Sequence, residues 1–310
     1  MFAGIVSSAA IVNAFYGYLQ PLFAAPRAAT ILLVYGVLAA VAIWGIAQSV
    51  AAAGVVTVIE VSGLLLVLVV AVPHARVDAT VLDGIAVTLE PAALLGVLTG
   101  AVLAFYAFLG FEDMVNVAEK VKDVERTLPR AIVVTLVLTT LLYAAISASS
   151  VLVLPPAVLA EAGDPLARVY AAAGGPWPLA INAIAIIAVI NGALIQLIMA
   201  SRVIYGLARQ ESLPASLASV WARTQTPVRA TLLAALVAAG FALWLPLARL
   251  AQVASVTALC VFALVNLSLI ALRWHPDAPR GAWRAPSWAP WAGFLASGGL
   301  LAFEVQRVLG

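Results

Sequence analysis

Apolar residues in this chain come in long unbroken blocks rather than at every third or fourth position, and each block is about as long as a bilayer is thick. Roughly 20 apolar residues cross the hydrocarbon core as a helix. Segments of that kind are predicted at about 3–22, 30–49, 53–72, 92–118, 130–153, 177–205, 228–247, 250–272 and 286–305. Helices that are apolar all round are buried or lie in lipid, whereas a soluble domain would show one apolar stripe. The expected fold class is therefore an all-α polytopic membrane protein with about nine transmembrane helices.

Composition agrees. Of 310 residues, 65% are hydrophobic and 10% charged, against about 25% charged in soluble domains. The mean hydropathy is +1.11. Met1 leads directly into an apolar run with no preceding cation, so no cleavable signal peptide is expected. A single cysteine, Cys260, excludes an intramolecular disulfide and a cysteine-based metal cluster.

Charge gives orientation. With the N-terminus placed in the cytoplasm, Lys120, Lys122, Arg126, Arg130, Arg202, Arg209, Arg223, Arg229, Arg273, Arg280 and Arg284 fall on the inner side. Arg27, Arg76, Arg168, Arg249 and Arg307 fall outside. That asymmetry is the positive-inside pattern, and it predicts a cell-membrane protein with a cytoplasmic N-terminus. Trp274, Trp283, Trp288 and Trp291 group near one end of the last spans, as interfacial anchors do. Two outer loops are long: 73–91, with His74, Asp78, Asp83 and Glu90, and 155–176, which is expected to contain a short amphipathic helix between Pro and Gly breakers.

Within this apolar background the polar residues stand out. The stretch from Phe105 to Ile132, FYAFLGFEDMVNVAEKVKDVERTLPRAI, starts inside a span, breaks at Gly110 and meets Glu112 and Asp113. Carboxylates at bilayer depth are costly and mark functional positions, and a Gly-interrupted apolar segment points to a transporter's binding site. Upstream carbonyls leaving the helix attract an ammonium group, while the N-terminus of the following half-helix favours negative charge. Glu112 and Asp113 fit either a structural N-terminal role or ligand contact. Tyr106 and Phe108 fit either closure over an apolar substrate body or packing. Glu60 lies near the middle of the third span. It is either a proton acceptor whose water access changes, or a permanently protonated acid bonded to a neighbouring helix. Asn182, Asn191 and Gln196 on the sixth span, and Asn13, Tyr16 and Gln20 on the first, are interhelical glue or cavity lining. Glu304 is expected at the interface. The two histidines, His74 and His275, lie in loops, and no nucleophile elbow, phosphate-binding Gly-rich loop or metal-ligand pair occurs. No enzyme activity, metal, cofactor or nucleic-acid partner is expected.

The run GFEDMVNVAEKVKDVERTLPRAI resembles the sixth helix and following loop of amino acid permeases of the amino acid–polyamine–organocation superfamily. NGALIQLIMASRVIYGLARQESLPASLASVWARTQTP is similar to that family's eighth helix and its tail. SSAAIVNAFYGYL and WGIAQSVAAAGVVTVIEVSGLLLVL resemble the third helix and the fourth-to-fifth region. The resemblance implies a five-plus-five inverted-repeat (LeuT-like) transporter fold with an incomplete first repeat: 1–72 matches family helices 3 to 5, 92–272 matches helices 6 to 10, and 273–310 holds helix 11. The first two helices and the last are then absent, and with them half of the expected site.

Carried onto matching positions, the substrate ammonium would meet the carbonyls of Tyr106, Ala107 and Leu109 beside Gly110, with Phe105 adjacent and Tyr106 also an aromatic gate. Glu60 stands where several proton-coupled relatives carry lysine, so the sign of the coupling group is reversed. The family's Ala-Glu-Glu reads here Ala118-Glu119-Lys120. The implied function is secondary active amino acid transport by alternating access, coupled to protons. The alternatives are exchange of amino acids or amines without proton coupling, or a truncated non-transporting membrane fragment. The partners implied are the amino acid or amine, the proton and the bilayer. No feature selects a particular substrate or an oligomeric state.

Overall fold

A computed structural model of the protein describes residues 1–45, 50–76, 90–274 and 285–309. Asp78, Asp83, His275, Arg280, Trp283 and Arg284 lie outside the described residues, as do the side chains of Asp113, Glu119 and Lys120.

Each apolar block becomes a helix: α1 Phe2–Leu19, α2 Arg27–Trp44, α3 Val50–Ala71, α4 Pro91–Tyr106, α5 Val124–Val153, then two short helices α6 Pro156–Ala160 and α7 Pro165–Ala172, followed by α8 Pro178–Arg209, α9 Val228–Trp244, α10 Leu247–Arg273 and α11 Ala289–Leu309. Among the described residues six helices are long and apolar enough to cross a membrane, and two shorter ones, Pro91–Tyr106 and Val228–Trp244, are apolar as well. The protein is an all-α polytopic membrane protein.

The punctuation is chemical. Prolines occupy the first turns of α4, α6, α7 and α8, where the missing N–H costs no helical bond. Gly45 ends α2 in the left-handed conformation (φ 81°), a common helix stop. The fourth block, 92–118, divides at the Gly110 break that the sequence predicts: α4 ends at Tyr106 and a 3-10 segment, Phe111–Lys120, follows Gly110. One boundary needs correction. The sequence pattern places the fifth span at about 130–153, after Pro129, yet α5 begins at Val124 with Pro129 inside it. Asp123, held at φ 49°, starts the helix by accepting the N–H groups of Arg126 and Thr127, so a single missing donor at Pro129 does not stop it.

The chain packs as two compact units, residues 1–86 with 143–250, and residues 87–142 with 251–310. In the first, α1 lies against α8, α9 and α2, and α3 lies against α8. Lipid offers no hydrophobic drive for helix association, so close approach of small side chains must supply it. Ala230, Ala234, Ala238 and Ala242 form one buried line down α9. Ser7, Ser8, Ala9 and Ala10 of α1 and Ala193, Ala200 and Ser201 of α8 are buried too.

The 155–176 loop, expected to carry one short helix, carries two. Ala167, Val169 and Tyr170 of α7 share a core with Val67 and Ala71 of α3 and Ile181 of α8. Asn182 on α8 donates to Asp164 (3.3 Å), which pairs with Arg168 (3.1 Å). In the second unit α11 packs on α4, and Gly293 of α11 admits the Asn266 amide of α10 so closely that a Cβ there would stand 2.7 Å from its oxygen.

Glu304, expected at the interface, is instead 2% exposed. Gln252 of α10 donates to it, and Arg307 pairs with it at 3.4 Å while donating to Thr99 of α4 at 2.9 Å. Glu304 does lie near the end of α11, but the packing of α10 and α4 over that end covers it.

Candidate functional site

The second unit holds the helix break. At the end of α4 the N–H groups of Ala107, Phe108 and Leu109 bond three residues back, to Ala104, Phe105 and Tyr106 (3.0, 3.1 and 3.1 Å). This is turn rather than α-helical geometry. Gly110 then takes φ 120° and ψ −20°, a conformation that residues with a Cβ rarely adopt. Its N–H donates to Glu112 Oε2 at 2.8 Å, so Glu112 caps the start of the 3-10 segment. That is the structural half of the pair of roles open to it from sequence. The carbonyl of Tyr106 carries a turn bond from Leu109, but a carbonyl has two lone pairs and can take a second donor. The C-terminal end of α4, with its partial negative charge, lies at the break.

An aromatic clamp brackets this bend. Phe262 of α10 stands edge-on to Phe105 (ring centroids 5.6 Å) and tilted against Phe111 (5.5 Å). The two residues flanking the break thus share one partner. Phe262 carried no signal in the sequence, being one apolar residue in an apolar span.

The first unit brings together two residues singled out separately. Asn191 Nδ2 of α8 donates to Glu60 Oε1 of α3 at 3.4 Å, and Tyr143 of α5 lies within electrostatic range of Glu60. One turn along α3, Gly63 permits the close approach, since a Cβ there would sit 2.6 Å from Ile184 Cγ2 of α8. Gly63→Ala is therefore expected to push α3 from α8, lengthen the Glu60–Asn191 bond and destabilise the fold by ~1–3 kcal/mol. Thermal unfolding in detergent measures it.

Other candidates have structural employment. Tyr16 and Gln20 both donate to the carbonyl of Ala25 (3.3 and 3.2 Å), closing the α1–α2 turn. Asn13 donates to Ala9 and to Ala242 of α9 (both 3.1 Å), and Arg27 donates to Asn13 Oδ1 (2.8 Å), Ala242 (2.9 Å) and Leu245 (3.3 Å). A cation at the first position of α2 is unfavourable for that helix, but this one serves the negative end of α9. Along the sequence Arg27 is merely one of the outer charges.

Residues 1–305 match the family model described as amino acid permease. The chain belongs to that family. This places it in the amino acid–polyamine–organocation superfamily that the central motifs resemble. The branched-chain amino acid permease BcaP of Bacillus subtilis is 33% identical over 193 residues, covering 62% of this chain and 41% of its own length. The vacuolar cationic amino acid transporter 4 of Arabidopsis thaliana is 29% identical over 187 residues, covering 60% of this chain and 31% of its own. The methylthioribose transporter of Bacillus subtilis is 31% identical over 198 residues, covering 63% and 42%. The chain thus spans less than half the length of these relatives.

Proposed function

We propose that this chain forms part of a secondary active amino acid transporter working by alternating access, with the substrate ammonium held at the Gly110 break. The observation that supports it best is the interruption itself. The negative end of α4, the turn-bonded carbonyls of Ala104, Phe105 and Tyr106, and an aromatic wall of Phe105, Phe111 and Phe262 offer a cationic amine both charge and apolar cover. The names of the relatives, two amino acid carriers and one sugar-derivative carrier, support transport and not catalysis.

In this reading the fold is two inverted repeats, the protein lies in the cell membrane with a cytoplasmic N-terminus, and Glu60 exchanges the coupled proton. Its bond from Asn191 and the neighbouring Tyr143 supply a polar setting among apolar helices. Purified protein in proteoliposomes should accumulate a radiolabelled amino acid when an inward proton gradient is imposed. Glu60→Gln should leave uptake insensitive to pH. Counterflow that persists in wild type with no response to pH would replace the proton-coupled reading with exchange.

A further inference from the structure

At the end of α2 in the first unit lies a cavity of about 400 Å³, lined by Ala40, Ile43, Trp44, Trp221, Arg223 and Thr224. Its walls are apolar apart from the guanidinium and one hydroxyl. The rim is firmly built. Trp221 N–H donates to Thr226 O (3.0 Å), Gln225 N–H donates to Trp221 O (2.8 Å), and Thr226 Oγ1 donates to Ile43 O at the end of α2 (2.8 Å). The turn 221–226 is thereby pinned to α2, and it holds Trp221 out at 50% exposure opposite Trp44 at 71%. Two large aromatics fixed in the open at a span end are the mark of a membrane–water interface.

Charge and depth define the occupant. Arg223 is exposed and has no hydrogen-bond or ion-pair partner among the described residues, and no carboxylate lines the cavity. On the other side of the same turn, Arg202 lines a smaller recess of about 50 Å³. Below the cavity, Leu33, Val37, Ala40 and Trp44 form one exposed stripe on α2. From Leu33 to Trp44 the helix rises about 16 Å, close to the ~15 Å of hydrocarbon in one leaflet. An apolar groove one leaflet deep, topped by indole rings and an exposed guanidinium, matches a molecule with an acyl chain and an anionic head.

We propose that this recess binds an anionic phospholipid, its phosphate on Arg223 and one acyl chain along Leu33, Val37 and Ala40 between Trp44 and Trp221. Arg is suited to this task because its planar fork takes two phosphate oxygens at once. The site is independent of the transport reading, since none of its residues belongs to the Gly110 or Glu60 groups.

The test is native mass spectrometry of the detergent-purified chain with phosphatidylglycerol or phosphatidylcholine of identical acyl chains. Wild type should retain phosphatidylglycerol at about tenfold lower lipid concentration, the scale of one charge-assisted contact. Arg223→Gln should erase that preference, Arg223→Lys should keep part of it, and Trp44→Ala should weaken both lipids alike. Millimolar inorganic phosphate should not displace the bound lipid. Fluorescence gives a second reading without removing the arginine: brominated phosphatidylglycerol in nanodiscs should quench indole emission more than brominated phosphatidylcholine, and the difference should vanish in Trp44→Phe/Trp221→Phe. Equal retention of the two lipids by wild type, an unchanged preference in Arg223→Gln, displacement by free phosphate, or a dimer that shields Trp44 and Trp221 would each overturn the proposal.

Discussion

Gly110→Val should reduce amino acid uptake by about 30-fold, the equivalent of ~2 kcal/mol of backbone strain placed on the binding-competent state. The argument is purely conformational. A Cβ at Gly110 would meet nothing within 4 Å, so there is no clash with a neighbour to relieve. The obstacle is φ 120°, which a β-branched residue resists strongly. The chain would escape by continuing α4 as a regular helix. That would withdraw the Glu112 carboxylate from the Gly110 N–H and carry Phe111 off Phe262. Gly100, on the same helix and also open around its Cβ, is the control. Gly100→Ala should stabilise α4 by ~0.5–1 kcal/mol and leave uptake intact. Initial uptake rates in proteoliposomes decide it, and equal rates for Gly110→Val and wild type would remove the break from the mechanism.

Arg307→Ala should destabilise the second unit by ~3 kcal/mol, far more than Glu304→Gln. The asymmetry follows from burial. Glu304 is 2% exposed, so deleting its cation leaves a carboxylate in an apolar setting with, among the described residues, Gln252 alone donating to it. Its Oε2 atom already has no partner among the described residues. Breaking a buried pair from one side costs ~3–5 kcal/mol, and the lower end applies because the arginine is 36% exposed. Glu304→Gln removes the charge that needs compensation, so in the Arg307→Ala background it should recover most of the loss. A double-mutant cycle by thermal unfolding measures that coupling. Additive losses would mean that the pair is solvated and inert.

The helices were legible because bilayer thickness imposes a length on every apolar block, and the block edges already carried Pro, Gly or charge. Gly110 was legible for a related reason: a glycine followed at once by two carboxylates has no place in a lipid-facing helix. What the sequence hid were the partners. Glu60 and Asn191 each looked out of place, yet nothing along the chain said that α3 and α8 meet at that level. Their apposition depends on Gly63 facing Ile184, a packing fact invisible in a run of apolar letters. Phe262 was hidden more completely, since aromatic packing leaves no compositional trace in a membrane span. Glu304 and Arg27 misled for the opposite reason. Polar residues near span ends are ordinarily solvated, and only the tertiary packing reveals one covered and the other bonded to a helix that begins two hundred residues later.

The attachment of Arg27 has a mechanical corollary. One guanidinium grips the amide of α1 and the final carbonyls of α9 from the root of α2, so three rods are riveted at a common corner. Torque applied to any of them there is transmitted to the other two, and whatever bending a working cycle asks of this bundle must be taken up away from that joint.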